Sequence, residues 1–283
     1  MERGKEDCHI HMVLDGENWK AAIQRHENGP DFPWIRGILE RYANAGYDYL
    51  RDGGDRWGVG AAARSLAGEY GIRYRTPLAP LYHKGHYGSF IGIGFENIRE
   101  YRELVCKNRE KDFVKIMISG LMDFDRFGVL TQPGLSAGEI RELVHIAHEE
   151  GYAVMAHANG AEVVRAAAEA GVDSVEHGAY LDGEAFHAMA ENGTVWVPTL
   201  SAIGNLRGKG RFDEAAVEQI LESAMENASK FAAMGGLVAE GSDAGAWAVP
   251  HAAGTERTLL TQALGEIAEA VLRRGGEKIR EKF

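Results

Sequence analysis

A chain of 283 residues with 45% hydrophobic and 26% charged residues is long enough for one large α/β barrel or two ordinary domains, and its balance excludes a disordered or fibrous protein. The formal net charge of -11 argues against nucleic acid or an anionic membrane surface as the main partner, since both reward a basic face, and leaves a small-molecule substrate as the expected one. Only Cys8 and Cys106 occur, the first residues lack a signal peptide's apolar core and no run is long enough to span a membrane, which together predict a cytoplasmic protein.

Short apolar runs alternate with helical patterns along the whole chain. Strands are predicted near 8–14, 47–51, 72–80, 113–119, 153–157, 174–177, 195–199 and 237–243, with helices at about 34–45, 58–70, 96–110, 136–150, 160–170, 182–192, 213–234 and 255–273. Ser136 with Glu139 three residues on forms a capping box, and Gly151 and Gly171 stop helices before strands. Eight consecutive βα units without a linker predict a single (β/α)8 barrel domain over residues 1–283.

The unusual polar residues fall at predicted strand ends. His9 and His11 lie two apart on the first strand and so point the same way, Lys115 lies on the fourth, His157 on the fifth, His177 on the sixth and Asp243 on the eighth. In a barrel these positions share one mouth. Several imidazoles with a carboxylate are the ligand set of zinc, or of manganese, iron or cobalt. A protonated Lys115 would be repelled there, but a neutral amine can add carbon dioxide to form a carbamate, whose two oxygens can bridge a pair of metals.

These motifs resemble the amidohydrolase superfamily, in the subtype with a binuclear metal centre bridged by a carboxylated lysine. The resemblance covers nearly the whole chain and rests on Asp7-Cys8-His9-Ile10-His11, Val114-Lys115-Ile116-Met117-Ile118-Ser119-Gly120, Ala156-His157-Ala158-Asn159-Gly160, Val175-Glu176-His177-Gly178, Val197-Pro198-Thr199-Leu200 and Gly241-Ser242-Asp243-Ala244-Gly245. It implies one divalent metal held by His9, His11 and Asp243, a second by His157 and His177, and carboxylated Lys115 bridging them together with a water or hydroxide. Asp243 would carry a proton from the attacking hydroxide to the leaving group.

The wording is similar to the imidazolonepropionase and Xaa-Pro or Xaa-Arg dipeptidase-like branch, where a Gly-His segment follows the third strand; here it reads Lys84-Gly85-His86-Tyr87-Gly88. That implies a catalytic or substrate-binding role for His86, with Asn159 on the rim contacting substrate. The reaction expected is hydrolysis of an amide in a dipeptide, an N-acyl amino acid or a cyclic amide. The same site can serve a lactonase, a phosphotriesterase or a deaminase, and the reading of another class is a metal-binding barrel that acts as a scaffold.

Many relatives carry a flanking β-sandwich, and the expectation here is a barrel without one, with a homo-oligomer covering the first strand. Alternation predicts that Cys8 and Glu176 face away from the barrel interior, with Glu176 orienting a neighbour, and that Asp7 shares the face of His9. His251, near the eighth strand end, is a further substrate-contact candidate; the segment 121–134 is a candidate lid, and Arg207, Lys209 and Arg211 a candidate carboxylate-binding loop.

Overall fold

The computed structural model describes residues 4–283. Its strands and helices alternate, starting with β1 (Lys5–Ile10), α1 (Trp19–Arg25), α2 (Phe32–Asn44), β2 (Tyr47–Asp52), α3 (Val59–Ala67), β3 (Arg73–Arg75), β4 (Leu81–His83) and β5 (Ile93–Phe95). There follow α4 (Ile98–Lys107), β6 (Val114–Met117), α5 (Ala137–Glu149), β7 (Val154–Ala158), α6 (Ala161–Glu169), β8 (Ser174–His177), α7 (Gly183–Asn192) and β9 (Val195–Val197). The chain finishes with α8 (Ser201–Gly204), α9 (Glu214–Ala233), β10 (Leu237–Val238), α10 (Thr255–Leu264) and α11 (Ala268–Lys282).

All ladders between these strands are parallel, in the orders β1-β2-β3 and β10-β9-β8-β7-β6-β4-β5. Backbone hydrogen bonds span both seams between the two sheets. On one side Cys8 N donates to Glu240 O at 2.8 Å, Asp243 N to His9 O at 2.7 Å and His11 N to Ala244 O at 2.7 Å. On the other, Asp112 N donates to Thr76 O at 3.0 Å, and the Asp112 carboxylate accepts from Thr76 N at 2.9 Å. The (β/α)8 architecture expected from the alternation is the one observed, with strand ends meeting at one mouth.

Local chemistry explains the elements. In α2, Asp31 caps the start by accepting from Trp34 N and Pro33 sits in the first turn, while Ile35, Ile38, Leu39 and Tyr42 recur at helical spacing on the buried face. Ser136 caps α5 through Glu139 N at 3.3 Å, which is one half of the expected capping box, while the Glu139 carboxylate turns to His83 at 2.6 Å. Two expected elements change their bounds. The third strand is cut short to β3 before Pro77 and Pro80, whose rings leave no N–H for a ladder, β4 and β5 are additional short strands beyond it, and the last helix breaks at Gly265 (φ 58°) into α10 and α11. Helices α1 and α8, too short for a clear 3.6-residue pattern, were not anticipated.

Side-chain alternation sorts the strands into two faces. Val114, Ile116, Val154, Ala156, Val175, Trp196 and Val238 pack outward among the helices, whereas Cys8, Tyr49, Phe113, Met155, Val195, Val197 and Ala239 fill the barrel interior with Ile279 and Phe283 from the chain's last turn. Cys8 thus packs, but inside the barrel, contrary to its expected orientation. At the opposite end of the strands an open hollow of about 750 Å³ holds His148, Asp173 and Lys282. Asp173 Oδ2 lies 3.1 Å from His148 Nε2, and Asp173 Oδ1 pairs with Lys282 at 3.0 Å.

Candidate metal centre

The interior face carries Lys115 above Phe113, His157 above Met155 and Glu176 beside Ser174, so Lys115 and His157 reach the mouth by plain alternation. Two ligand candidates need more. In β1 the register shifts between Asp7 and Ile10, so Cys8 and His9 both turn inward, Ile10 faces the helices and His11 turns inward again. Asp7 therefore does not share the face of His9; its carboxylate accepts from Ser242 N at 2.8 Å and Ser242 Oγ at 2.5 Å, pinning the residue before Asp243. Glu176 occupies the inward position that alternation had assigned to His177. His177 enters the site because its backbone is left-handed (φ 69°), as are Thr199 (φ 52°) and Asp243 (φ 59°) in the loops after β9 and β10.

His9 Nε2, His11 Nε2 and Asp243 Oδ1 converge. They lie 3.4 Å apart between the imidazoles, 3.2 Å from His11 to Asp243 and 3.5 Å from His9 to Asp243, all on buried residues. Three atoms that carry lone pairs repel at such distances unless a cation or proton lies among them, so the donor set fits a divalent metal. The ring of His177 sits 5.1 Å from that of His9 and 4.5 Å from that of His157. Thr199 Oγ1 meets His177 Nδ1 at 2.8 Å, leaving Nε2 free, while the Gly120 carbonyl lies 3.3 Å from His157 Nε2, leaving Nδ1 as its available donor atom.

Burial keeps the imidazoles of His9, His157 and His177 neutral, as ligands must be. It drives His9 and His177 well below the usual histidine range and His157 down to about 3, with the nearby Lys115 adding to the effect at each. Lys115 is itself buried, its Nζ has no hydrogen-bond partner among the described residues, and burial lowers it to about 8. An orphaned amine of this kind fits the chemistry of a carbamate.

Of the remaining candidates, Asn159 adjoins the cluster, its Nδ2 lying 3.5 Å from His157 Nε2. Asn159 is fully buried, not on the rim: its amide donates to Gly120 O at 3.0 Å and accepts from Ala179 N at 2.9 Å, tying together the loops after β6, β7 and β8. The ring of His86 stacks at 5.3 Å on His83, which pairs with Glu139 at 2.6 Å, whereas its neighbour Tyr87 lies 4.9 Å from the ring of His157. His251 spends both nitrogens, on Tyr42 Oη at 3.2 Å and Leu14 O at 2.9 Å. Arg211 stacks on Trp247 at 4.5 Å and Phe212 at 5.2 Å, which ties down its loop, and Asp213 N donates to Asp125 Oδ1 at 2.8 Å, linking that loop to the hairpin at 122–130. Tyr87 and the interior Arg51 escaped sequence reading; Tyr87 follows the Gly-His pair, but no motif marks Arg51.

A profile of the amidohydrolase family matches residues 83–277, more than half of the chain. The chain belongs to the amidohydrolase family. Ochratoxinase from Aspergillus niger is 27% identical over 239 residues, covering 71% of this chain and 48% of its own length, so the chain spans about half of that curated relative. Among solved structures, this amidohydrolase is similar to a Xaa-Pro dipeptidase with bound methionine (TM-score 0.80, 22% identity, 99% of this chain and 76% of the other). It is similar also to a prolidase complexed with N-methylphosphonate-L-proline (TM-score 0.78, 22% identity, 99% and 75%) and to A. niger ochratoxinase (TM-score 0.78, 20% identity, 98% and 71%). The fold is the one they share. No helix among the described residues is long and apolar enough to cross a membrane.

Proposed function

We propose that this amidohydrolase is a metal-dependent enzyme that hydrolyses an amide bond in a small molecule such as a dipeptide, an N-acyl amino acid or a cyclic amide. The observation that carries the reading is the convergence of His9 Nε2, His11 Nε2 and Asp243 Oδ1 beside the neutral imidazoles of His157 and His177 and the unpartnered Lys115 Nζ. His9, His11 and Asp243 would hold one divalent cation, zinc by preference, and His157 and His177 a second, with Lys115 as a bridging carbamate. Bound cations of this kind polarise a scissile carbonyl and acidify the attacking water.

The chain's own part is to place and move a proton. Asp243 sits at the mouth with one carboxylate oxygen against the imidazoles of His9 and His11, and its other oxygen takes the proton released by the attacking water and delivers it to the leaving nitrogen. Tyr87 covers the His157 side, and burial together with the Asp243 carboxylate raises its phenol far above neutrality, so it meets substrate as an O–H donor. The names of the similar proteins, a Xaa-Pro dipeptidase, a prolidase and an ochratoxinase, support an amide as the electrophile.

The test is metal content per chain by plasma mass spectrometry on protein purified without chelators, for wild type and Lys115→Ala, followed by a panel of amides, lactones and aminated heterocycles. About two metals in wild type, fewer on loss of Lys115, and turnover confined to amides are expected. Protein without metal, or turnover of lactones or aminated rings instead, would sink the reading.

A further inference from the structure

We propose that Glu176 is a positioning residue that fixes the tautomer of His9, holding Nδ1 as the N–H so that Nε2 offers its lone pair to the cluster with His11 and Asp243; the inference builds on the metal-centre reading above. Glu176 Oε2 approaches His9 Nδ1 to 2.8 Å, off the line of an aligned hydrogen bond, neither atom has a hydrogen-bond partner among the described residues, and both side chains are wholly buried. Its other oxygen, Oε1, accepts from Arg51 Nη2 at 2.8 Å and from Ser174 Oγ at 2.6 Å. With those two donors aimed at Oε1, the contact at Oε2 is left for the histidine. A neutral imidazole has a single N–H, and placing it on Nδ1 leaves the lone pair on Nε2, which lies 3.4 Å from His11 Nε2.

Arg51 makes this arrangement rigid. Its Nε donates to the Cys8 carbonyl at 2.7 Å, directly before His9, and its Nη1 donates to Ser174 Oγ at 2.8 Å. The guanidinium lies 4.4 Å from the ring centre of Phe283 and 6.0 Å from that of Phe113. A buried carboxylate is costly without a partner, and here one arginine supplies both the matching charge and the anchor to the strand that carries His9. The chain of contacts runs Phe283, Arg51, Glu176, His9, from the floor of the barrel to its mouth.

The first measurement is made on the wild-type, metal-free protein labelled with 15N-histidine, the His9 signal being assigned by its loss in His9→Gln. The Nδ1–H tautomer is expected, and the Nε2–H tautomer would overturn the proposal. The second is the affinity for zinc by competition with a chromogenic chelator. Glu176→Gln should bind about 10–100-fold more weakly, the usual effect of removing a carboxylate behind a ligating histidine, and Ser174→Ala only a few-fold more weakly. Unfolding of the metal-free variants is recorded alongside, and unchanged affinity in folded Glu176→Gln counts against the role. If Glu176→Gln does not fold, the wild-type tautomer decides alone. Wild type that binds no metal would defeat the metal centre itself, and the tautomer would still judge the contact.

Discussion

Ser201 and Glu256 meet side chain to side chain at 2.9 Å, while the Ser201 hydroxyl also reaches the Ser242 carbonyl at 2.6 Å, one residue before Asp243. A hydroxyl has one hydrogen. Given to Ser242, it leaves the Glu256 contact to be made by a proton on the carboxyl, which agrees with burial pushing Glu256 up to about 8. The same carboxyl accepts from Leu200 N at 3.0 Å and Ser201 N at 2.6 Å, so it joins the loop after β9 to the Asp243 turn.

This geometry predicts a pH dependence. The folded value of about 8 exceeds the ordinary 4.5, so the folded state binds this proton more tightly than the unfolded chain. The resulting stability is complete below about pH 4.5 and is lost as the pH rises towards about 8. Glu256→Gln, which mimics the protonated acid, should flatten that slope in chelator-treated protein. Thermal unfolding midpoints from pH 5 to 9 check this, and an unchanged slope in the variant contradicts it.

Gly53 and His11 predict a site lost by the addition of one methyl group. A Cβ at Gly53 would lie 2.5 Å from His11 Cε1, so Gly53→Ala must push the imidazole aside. Zinc affinity should fall at least about tenfold, as for the loss of a ligand's support. Gly37 in α2 has open space at its Cβ, so Gly37→Ala should keep the affinity and gain about 0.5–1 kcal/mol of stability. Equal affinity in both variants would show that His11 is not held as described.

Tyr87 and His86 should part company in kinetics. With its ring against His157, Tyr87→Ala should lower kcat/KM by about tenfold or more at unchanged metal content, while His86→Ala should change it by less than about threefold. Steady-state kinetics on the substrate found by the amide panel measure both. A larger loss in His86→Ala would return the role to the histidine that the Gly-His motif implies.

Lys115 predicts a dependence on carbon dioxide. Chelated protein reloaded with zinc in bicarbonate should regain activity faster and further than protein reloaded in degassed buffer, because only the neutral amine of a group near 8 adds carbon dioxide. Identical recovery in the two buffers would argue against a carbamate.

The alternation of apolar runs with helical patterns was enough for the (β/α)8 fold, because each unit buries its own strand under its own helix and that demand is local in sequence. The spacing of His9, His11, Lys115, His157, His177 and Asp243 was enough to bring them to one end of the strands. Which atoms face the centre was decided only in three dimensions. A register shift in β1 put Cys8 and His9 on the same side and sent Asp7 outward, and a left-handed residue at the end of β8 exchanged the expected places of His177 and Glu176. The Gly-His motif marked the loop after β4 without saying which ring it delivers, and packing against His157 selected Tyr87. Strand period and helix caps arise from bonds between near neighbours, so residue order dictates them; bulges, left-handed turns and the Arg51–Glu176 pair are held by contacts across the barrel, between residues 125 positions apart in the case of that pair, and exist only once the strands have assembled.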